Sequence, residues 1–284
     1  TDCGIIYSNK SNHSPIPLEK DWGMIPLPTL YYMNKENYEF EVCANSVESC
    51  IAAERAGANR VELCMGIPEG GTTPSYGEIK MAREVLKRTH LHVIIRNRGG
   101  DFLYSPEELQ RMTYDIDMCR EMGVDGVVFG CLTADGRIDH NANKTLMAHT
   151  GTMNVTFHRA FDRCSHPEQA IDEILELGFN RILTSGQQPT AVQGIPLLRR
   201  LKELSAGKID IMAGCGVNEE NIAKIQKETK ITSFHFSARE PQPSKMKFFN
   251  NNVYMGNNDV CEDMIMVSSE RRIRETMKAL IINT

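Results

Sequence analysis

The sequence predicts a single (β/α)8 TIM-type barrel with an irregular N-terminal extension, and three observations predict it. The first is a β-α-β unit over residues 39–64, in which two segments of alternating apolar and polar residues flank a helical segment. Asn45 is suited to begin the helix as its N-cap, and Gly57 to end it. Since the connection between two parallel strands is right-handed, this helix covers one face of a parallel sheet.

The second observation is that the other face of these two strands is polar. It carries Glu41 and Cys43 from the first strand and Glu62 and Cys64 from the second. In an open parallel sheet this face would also be covered by helices and would be apolar. Carboxylates there indicate the interior of a closed barrel, near the ends of its strands.

The third observation is a helix–strand junction that recurs along the chain. Residues 56–61 contain a helix-ending glycine, an apolar residue, an asparagine and the start of a strand. The pattern, with Asn or Asp at the turn, recurs at 122–127 and 177–182. The sequence distance between one occurrence and the next fits about two β-α units. Eight strands are therefore predicted, at 39–43, 60–64, 91–98, 126–130, 155–159, 181–185, 208–213 and 232–237.

The chain on either side of these repeating units differs in composition. Residues 1–37 contain several prolines and little periodicity, so we expect an irregular N-terminal extension followed by the barrel over 38–284. Residues 240–263 are polar, with many Asn and several Lys, and predict a long loop before a last helix at 268–282.

The composition excludes several classes of function. A net charge of −5 and a pI near 5.9 indicate no general affinity for nucleic acid or for an anionic membrane. No apolar run approaches the roughly 18 residues of a transmembrane helix, and the first residues do not resemble a signal peptide. The nine cysteines lack C-x-x-C spacing and are typical of reduced thiols. We therefore expect a cytoplasmic protein, or a nuclear one if the source is eukaryotic.

Two arginines are predicted to share the barrel interior with the glutamates. Arg96 and Arg98 follow the alternation of strand three onto the face that carries Glu41 and Glu62 in the neighbouring strands. Buried carboxylates need a partner, so this arrangement predicts internal ion pairs between these groups.

Two histidines also lie on inward faces close to strand ends. His158 follows this pattern in strand five and His235 in strand eight. A lone histidine is more often a satisfied core residue, yet two of them near carboxylates and arginines suit general acid–base chemistry. The candidate catalytic residues are Glu41, Glu62, Arg96, Arg98, His158 and His235.

The loops after strands six to eight have features of an anion site. Glycines there leave backbone N–H groups free to approach a phosphate or another anion, and hydroxyl groups stand beside them. The alternative is that these glycines only permit tight turns. The candidate ligand-binding residues are Ser185, Gly214, Gly216 and Ser237.

Cys43 and Cys64 end neighbouring parallel strands, which lie about 4.8 Å apart. Two thiolates without further ligands favour a soft, low-coordinate metal such as Cu(I). Two alternatives stay open, because cysteine is often buried as a small apolar residue and because an arginine nearby can activate a thiol as a nucleophile.

Eight motifs together resemble those of the CutC copper homeostasis family. The resemblance spans residues 38–256, and the family pattern has proline where Asn97 stands and glycine where Cys215 stands. The motifs are EVC (41–43), RVELC (60–64), EGGTTPS (69–75), IRNRGGDF (95–102), DGVVFG (125–130), TFHRAFD (156–162), RILTSG (181–186) and FHFSA (234–238).

The resemblance implies a cytosolic barrel that acts in copper homeostasis and forms a homo-oligomer, a dimer or a tetramer. It also implies that Cys43 and Cys64 are Cu(I) ligands. The family is assigned no reaction, so the residues support a second hypothesis, an enzyme acting on a small anionic or phosphorylated substrate at the C-terminal rim of the barrel. A third reading is a scaffold whose oligomer surface matters more than its interior.

Overall fold

Eight parallel strands form a closed barrel at the centre of the molecule, which confirms the predicted (β/α)8 fold. The structure, a computed structural model, describes residues 36–250, 252–253 and 262–281. Each strand pairs with its neighbours in the sequence, and the first pairs with the eighth. The strands are β1 (Glu39–Ala44), β2 (Arg60–Leu63), β3 (His90–Ile94), β4 (Gly126–Phe129), β5 (Asn154–Phe157), β6 (Arg181–Thr184), β7 (Asp210–Ala213) and β8 (Ser233–Phe236).

Eight α-helices in the described ranges alternate with these strands. Their termini follow local signals: Ser105 begins the helix after β3 with a complete capping box, and Gly57 ends the first helix in the left-handed conformation. The N-cap of the first helix is Ser46 rather than the predicted Asn45, because the Ser46 hydroxyl accepts from the N–H of Ser49 at 3.2 Å. The helices are α1 (Val47–Ala56), α2 (Tyr76–Val85), α3 (Pro106–Glu121), α4 (His140–Met147), α5 (Pro167–Glu176), α6 (Ile195–Ser205), α7 (Ile222–Thr229) and α8 (Glu270–Ile281).

The apolar core lies between the strands and the helices. Phe40 and Val42 of β1 and Val61 and Leu63 of β2 are fully buried in one cluster with helix residues such as Ile79. Because side chains of a strand alternate between its two faces, the residues between them point into the barrel. This arrangement confirms the predicted inward face of the first two strands.

Strand β3 ends at Ile94, before the end predicted at Arg98. The backbone N–H of Arg96 donates to the Thr73 hydroxyl at 2.9 Å instead of to a neighbouring strand. Arg96 and Arg98 therefore lie in the loop after β3, where the alternation of a strand no longer determines where their side chains point.

A two-stranded antiparallel sheet follows the barrel. β9 (Arg239–Pro243) pairs with β10 (Met264–Ser268) just before α8. The prediction of a loop over 240–263 is therefore wrong at its start, because main-chain pairing with β10 extends the chain there. Residues 1–35 of the predicted extension, and residues 251 and 254–261 of the predicted loop, lie outside the described residues. The boundary at residue 38 stays a prediction.

Within the described ranges, no helix has the length and apolar character needed to cross a bilayer. The seven cysteines in those ranges are all free thiols.

Candidate functional site

A buried carboxylate joins the first and last strands of the barrel. Glu41 on β1 is fully buried and lies opposite Arg60 of β2 and His235 of β8 in the strand register. Arg60 Nε donates to one oxygen of Glu41, and His235 Nδ1 lies 2.7 Å from the other. Burial alone would raise the pKa of Glu41, but Arg60 and His235 outweigh it and hold that pKa well below its usual range.

The partner of Glu41 differs from the prediction. Arg96 and Arg98 were expected to form its ion pair, whereas Arg60 does so because it stands directly opposite in the register. Arg60 was missed, although the alternation of β2 places it on the same inward face as Glu62.

His235 links Glu41 to the second inward glutamate. Its Nε2 lies 3.6 Å from a carboxylate oxygen of Glu62. Burial would lower the pKa of His235, but Cys43, Glu41 and Glu62 raise it well above its usual range. Burial raises the pKa of Glu62 to about 8, although His235 acts in the opposite direction. His235 is therefore an imidazolium in this setting, and Glu62 is poised to exchange a proton near neutral pH.

The two predicted strand-end thiols lie together just above this layer. Cys43 Sγ and Cys64 Sγ are 3.5 Å apart, and Arg239 Nη2 donates to Cys43 Sγ at 3.0 Å. The hydrogen bond from Cys64, with His235 and Arg239 nearby, holds the pKa of Cys43 well below its usual range despite burial. The same hydrogen bond, together with burial, raises the pKa of Cys64 well above its usual range. The surroundings therefore favour the thiolate form at Cys43 and disfavour it at Cys64.

The thiols open onto a cavity of about 290 Å³ at the C-terminal end of the barrel. Glu62 and His235 line it beside the thiols, and Phe236 and Leu183 add apolar surface. Its volume is close to the lower end of the usual range for small-molecule sites, roughly 300–1,000 Å³. The cavity therefore has room for more than a single ion.

Arg96 and His158 line the same cavity from the loops after β3 and β5. Each is only 4% exposed. The ring of Phe102 packs on both, with its centroid 4.9 Å from that of the imidazole and 5.0 Å from Arg96 Cζ. Burial and the neighbouring Arg96 lower the pKa of His158 to about 3, so its imidazole is neutral. His158 is therefore unsuited to the acid–base role considered for it, since it would not take up a proton near neutral pH.

The predicted inward position of Arg98 is wrong. Its guanidinium donates to Glu108 at 2.6 Å and to Asp101 at 2.9 Å, and it does not line the cavity. Because β3 ends at Ile94, the backbone has turned before Arg98, and the capping glutamate of α3 provides its partner.

The structure supports only two of the four residues predicted to bind an anion. Gly216 and Ser237 line the cavity, as the hypothesis requires. The N–H and hydroxyl of Ser185, in contrast, already donate to the carboxylate of Asp162 at 3.0–3.1 Å. Gly214 uses its N–H to bond Thr184 O at 3.0 Å. The placement of these last two as free anion donors is therefore wrong. Asp162 ends the TFHRAFD motif, but the motif did not reveal that its carboxylate accepts from Ser185.

Two groups of side chains in the described ranges are close enough to share a metal ion. One combines Cys43 and Cys64 with Glu62, and the other combines Glu41 and Glu62 with His235, with ligand atoms within 4.8 Å of one another in each. In the second group Glu41 and His235 are already paired with each other. The first group is therefore the more available for an ion, and its two sulfurs determine which ion it suits.

Comparison with known proteins gives the chain a family. A model of the CutC family matches residues 38–240, which is more than half of the chain. The chain belongs to the CutC family. The resemblance noted in the sequence is thereby confirmed.

Several relatives extend this result. A family protein CutC from Bacteroides fragilis is 58% identical over 246 residues, which cover 86% of this chain and 98% of that protein. A human protein named copper homeostasis protein cutC homolog is 44% identical over 244 residues, 86% of this chain and 89% of that protein. A solved structure from Streptococcus agalactiae that carries the name copper homeostasis protein CutC is 37% identical with a TM-score of 0.68, covering 70% of this chain and 98% of that one.

The two departures from the CutC pattern have different consequences. Asn97 points away from the cavity and donates to Glu108 O at 3.1 Å. Cys215 lines the cavity with φ at +75°, in the left-handed region that glycine adopts most easily. Its thiol donates to Pro189 O at 3.0 Å. The cavity wall after β7 thus keeps the backbone conformation of a glycine with a cysteine in its place.

Replacing Arg60 with methionine tests the importance of the buried pair for stability. Arg60→Met leaves the fully buried Glu41 carboxylate with His235 as its partner, and we expect a loss of roughly 3 kcal/mol in the free energy of unfolding. Chemical denaturation, monitored by circular dichroism, measures this loss of free energy. The double variant Arg60→Met, Glu41→Leu should be less destabilised than the single one, since it removes both charges. Arg200→Ala, at a half-exposed pair with Glu168, is the control and should change stability by about 0.5 kcal/mol or less. Equal losses in Arg60→Met and Arg200→Ala would contradict the assignment.

Alkylation of the thiols tests the electrostatics of the sulfur pair. The lowered pKa of Cys43 favours its thiolate, so iodoacetamide should label it faster near pH 7 than Cys50, whose pKa burial raises to about 12. Labelling of each peptide is followed by mass spectrometry between pH 6 and 9. Arg239→Gln should slow labelling of Cys43 at pH 7 and leave Cys50 unchanged. A Cys43 profile that rises steeply only above about pH 8.5, the value for a free thiol, would show that the thiolate is not stabilised.

Proposed function

We propose that this CutC-family protein is a copper homeostasis protein that binds Cu(I) in the cytosol, with Cys43 and Cys64 as its ligands. The observation that carries the proposal is the 3.5 Å separation of the two sulfurs at a solvent-connected cavity. The names of the human and streptococcal relatives, which refer to copper homeostasis, support it. A reducing compartment suits the free thiols among the described cysteines.

The chemistry of the donor set favours copper(I) over harder or more highly coordinated ions. Thiolates are soft ligands, which prefer Cu(I) to Mg²⁺ or Ca²⁺. Structural zinc takes four protein ligands, whereas this group offers two sulfurs and one carboxylate. Arg239 beside Cys43 stabilises a thiolate before the ion arrives, and Cys64 would release its proton on binding.

Titration with Cu(I) under anaerobic conditions tests this proposal. The protein should take up about one ion per chain in competition with a chromogenic Cu(I) chelator, and the double variant Cys43→Ser, Cys64→Ser should lose that uptake. Because the ligands must lose a proton, the apparent affinity should fall as the pH is lowered from 8 to 6. Cys215→Gly is the matched control, since it removes another cavity thiol and supplies the residue that its backbone conformation favours. Copper uptake that is unchanged in the double variant, or lost equally in the control, would refute the ligand assignment.

A second candidate function is favoured by the size of the cavity. A volume of about 290 Å³ exceeds what one copper ion requires, and the walls combine charged and apolar side chains. We infer from this that the same barrel end suits a reaction on a small anionic substrate, with Glu62 and His235 placed to move a proton. This second function requires that the copper-free protein bind a small anion in the cavity. An equilibrium binding measurement tests that requirement.

We also propose that the protein forms a homo-oligomer, a dimer or a tetramer. Three consecutive apolar side chains of β10 are exposed, Met264 at 41%, Ile265 at 57% and Met266 at 44%, and Phe248 in the segment after β9 is 76% exposed. Exposed apolar clusters of this kind are typical of protein–protein contacts, and a second copy of the chain is the occupant that we propose.

Light scattering coupled to gel filtration tests the oligomer. The native protein should elute as a dimer or a tetramer, and Ile265→Asp or Phe248→Asp should shift it towards the monomer, because burying a new carboxylate in an apolar contact is costly. Tyr114→Asp, at an exposed aromatic residue of α3, is the control and should not change the mass. A monomeric native protein at micromolar concentration would contradict the proposal.

A further inference from the structure

The Glu62 carboxylate is a charged group of the cavity that copper binding by two thiols leaves unused. Glu62 lines the cavity and is only 4% exposed. Within the described residues its carboxylate has one ion pair, with His235 Nε2 at 3.6 Å, which is too long for a good hydrogen bond. His235 is also bonded to Glu41 at 2.7 Å. A buried carboxylate so poorly compensated is costly, and a cation bound by its oxygens would stabilise it.

The two thiols lie close enough to Glu62 to bind the same cation. A carboxylate oxygen of Glu62, Cys43 Sγ and Cys64 Sγ lie within 4.8 Å of one another. The register explains this, because Cys43 stands opposite Glu62 and Cys64 follows Glu62 by two residues on the same face. Three ligand atoms from two neighbouring strands therefore meet at one place in the cavity wall.

The distance between the sulfurs indicates how many ligands the ion would have. Cys43 Sγ and Cys64 Sγ are 3.5 Å apart. With metal–sulfur bonds of about 2.3 Å, two sulfurs lie roughly 3.8 Å apart around a tetrahedral ion and roughly 4.6 Å apart on opposite sides of an ion. The observed separation is closer to the tetrahedral value. It therefore favours an ion that has ligands besides the two sulfurs.

The three donor atoms together favour zinc. Zinc binds cysteine sulfur and glutamate oxygen with nearly equal ease, whereas Mg²⁺ and Ca²⁺ prefer oxygen and Cu(I) prefers sulfur. Structural zinc sites have four protein ligands, but catalytic zinc sites have three and keep a fourth position for water or substrate. Two thiolates and one carboxylate beside a cavity of about 290 Å³ match the catalytic arrangement.

The groups around the three ligands suit a bound divalent ion. Arg239 Nη2 donates to Cys43 Sγ at 3.0 Å, and His235 lies beside Glu62. Groups of this kind orient metal ligands and tune the ion that they hold. Two thiolates and a carboxylate carry three negative charges, so bound Zn²⁺ leaves one, which Arg239 is placed to compensate.

The other two arginines of the cavity do not compete for the Glu62 carboxylate. Arg159 pairs with Asp162 at 2.7 Å and donates to the Ser185 hydroxyl at 3.2 Å. Arg96 donates to three backbone oxygens at 2.8–3.0 Å. Both guanidinium groups are thus held by other partners, and the carboxylate of Glu62 stays available to an ion.

We propose that Cys43, Glu62 and Cys64 bind a zinc ion whose fourth position opens onto the cavity, where a water molecule or an anionic group of a small ligand completes the coordination. The proposal uses the thiols of the proposed copper site but adds a carboxylate that Cu(I) does not require. It deepens the second candidate function, because an ion with an open position can activate water or polarise a bound substrate. Its test requires no turnover.

Cobalt(II), which has a visible spectrum and takes the place of zinc, tests the site in the copper-free full-length protein under anaerobic, reducing conditions. The protein should bind about one Co²⁺ per chain and develop the visible bands of tetrahedral cobalt with a sulfur-to-cobalt charge-transfer band. Zinc should abolish these bands by displacement. The double variant Cys43→Ser, Cys64→Ser should show neither band, and octahedral cobalt in the native protein, or an unchanged spectrum in the double variant, would overturn the proposal.

The variant Glu62→Gln tests the third ligand. It should weaken Co²⁺ binding about a hundredfold, since loss of a group that only orients a ligand already costs about 10- to 100-fold. It should affect Cu(I) binding far less, because Cu(I) is bound by sulfur. Glu39→Gln is the matched control: it removes a half-exposed carboxylate from β1, four residues before Cys43, and should bind cobalt like the native protein. Thermal melting followed by circular dichroism verifies that both variants are folded, and equal cobalt affinities in the two would refute the role of Glu62.

Azide tests the open position, and a comparison of metals separates this proposal from copper binding. Azide should shift the visible bands of the cobalt protein, whereas an unchanged spectrum would mean that the fourth position is closed and would contradict the proposal. Uptake of Cu(I) without uptake of cobalt or zinc would reject the zinc site and leave the copper function in place. Uptake of cobalt and zinc without Cu(I) would support the zinc site and reject the copper function.

Discussion

The ion pair between Glu41 and Arg60, extended by His235, is the interaction on which the rest of the structure depends. It lies where the first strand of the barrel meets the second and the eighth, so one fully buried carboxylate connects three strands across the point of closure. A carboxylate can be buried there only because two cationic groups compensate its charge. A shift of one residue in the pairing of β1 would turn Glu41 towards the helices and leave Arg60 and His235 without their partner.

The same register determines the position of the sulfur pair. Cys43 is two residues beyond Glu41 and Cys64 is two residues beyond Glu62, so each thiol lies on the inward face, one layer nearer the mouth of the barrel. The positive charge that the closure requires at His235 then acts on Cys43 as well, together with Arg239. The stability of the barrel and the reactivity of its thiols thus have a common electrostatic origin.

The inward residues of the strands could be predicted from the sequence, whereas their pairing could not. The alternation of side chains with a period of two correctly predicted the residues that point into the barrel, Glu41, Cys43, Glu62 and Cys64. It could not show that Arg60 rather than Arg96 faces Glu41, because that depends on the register between strands. Nor could it give the direction of Arg98, because the side chain follows the loop once β3 ends at Ile94. The Asp162 carboxylate that occupies the N–H groups after β6 comes from the loop after β5, and such a contact between two loops has no local sequence signal.

The positions of two cationic groups determine the charge that the sulfur pair can hold. Copper(I) bound by two thiolates would carry one negative charge, and Arg239 and His235 lie beside Cys43 to compensate it. Arg96 is held by three backbone oxygens, so it cannot move to the sulfurs without breaking three hydrogen bonds. Compensation of a bound ion therefore depends on Arg239 and on the histidine that also pairs with Glu41, which connects the proposed copper site to the interaction that closes the barrel.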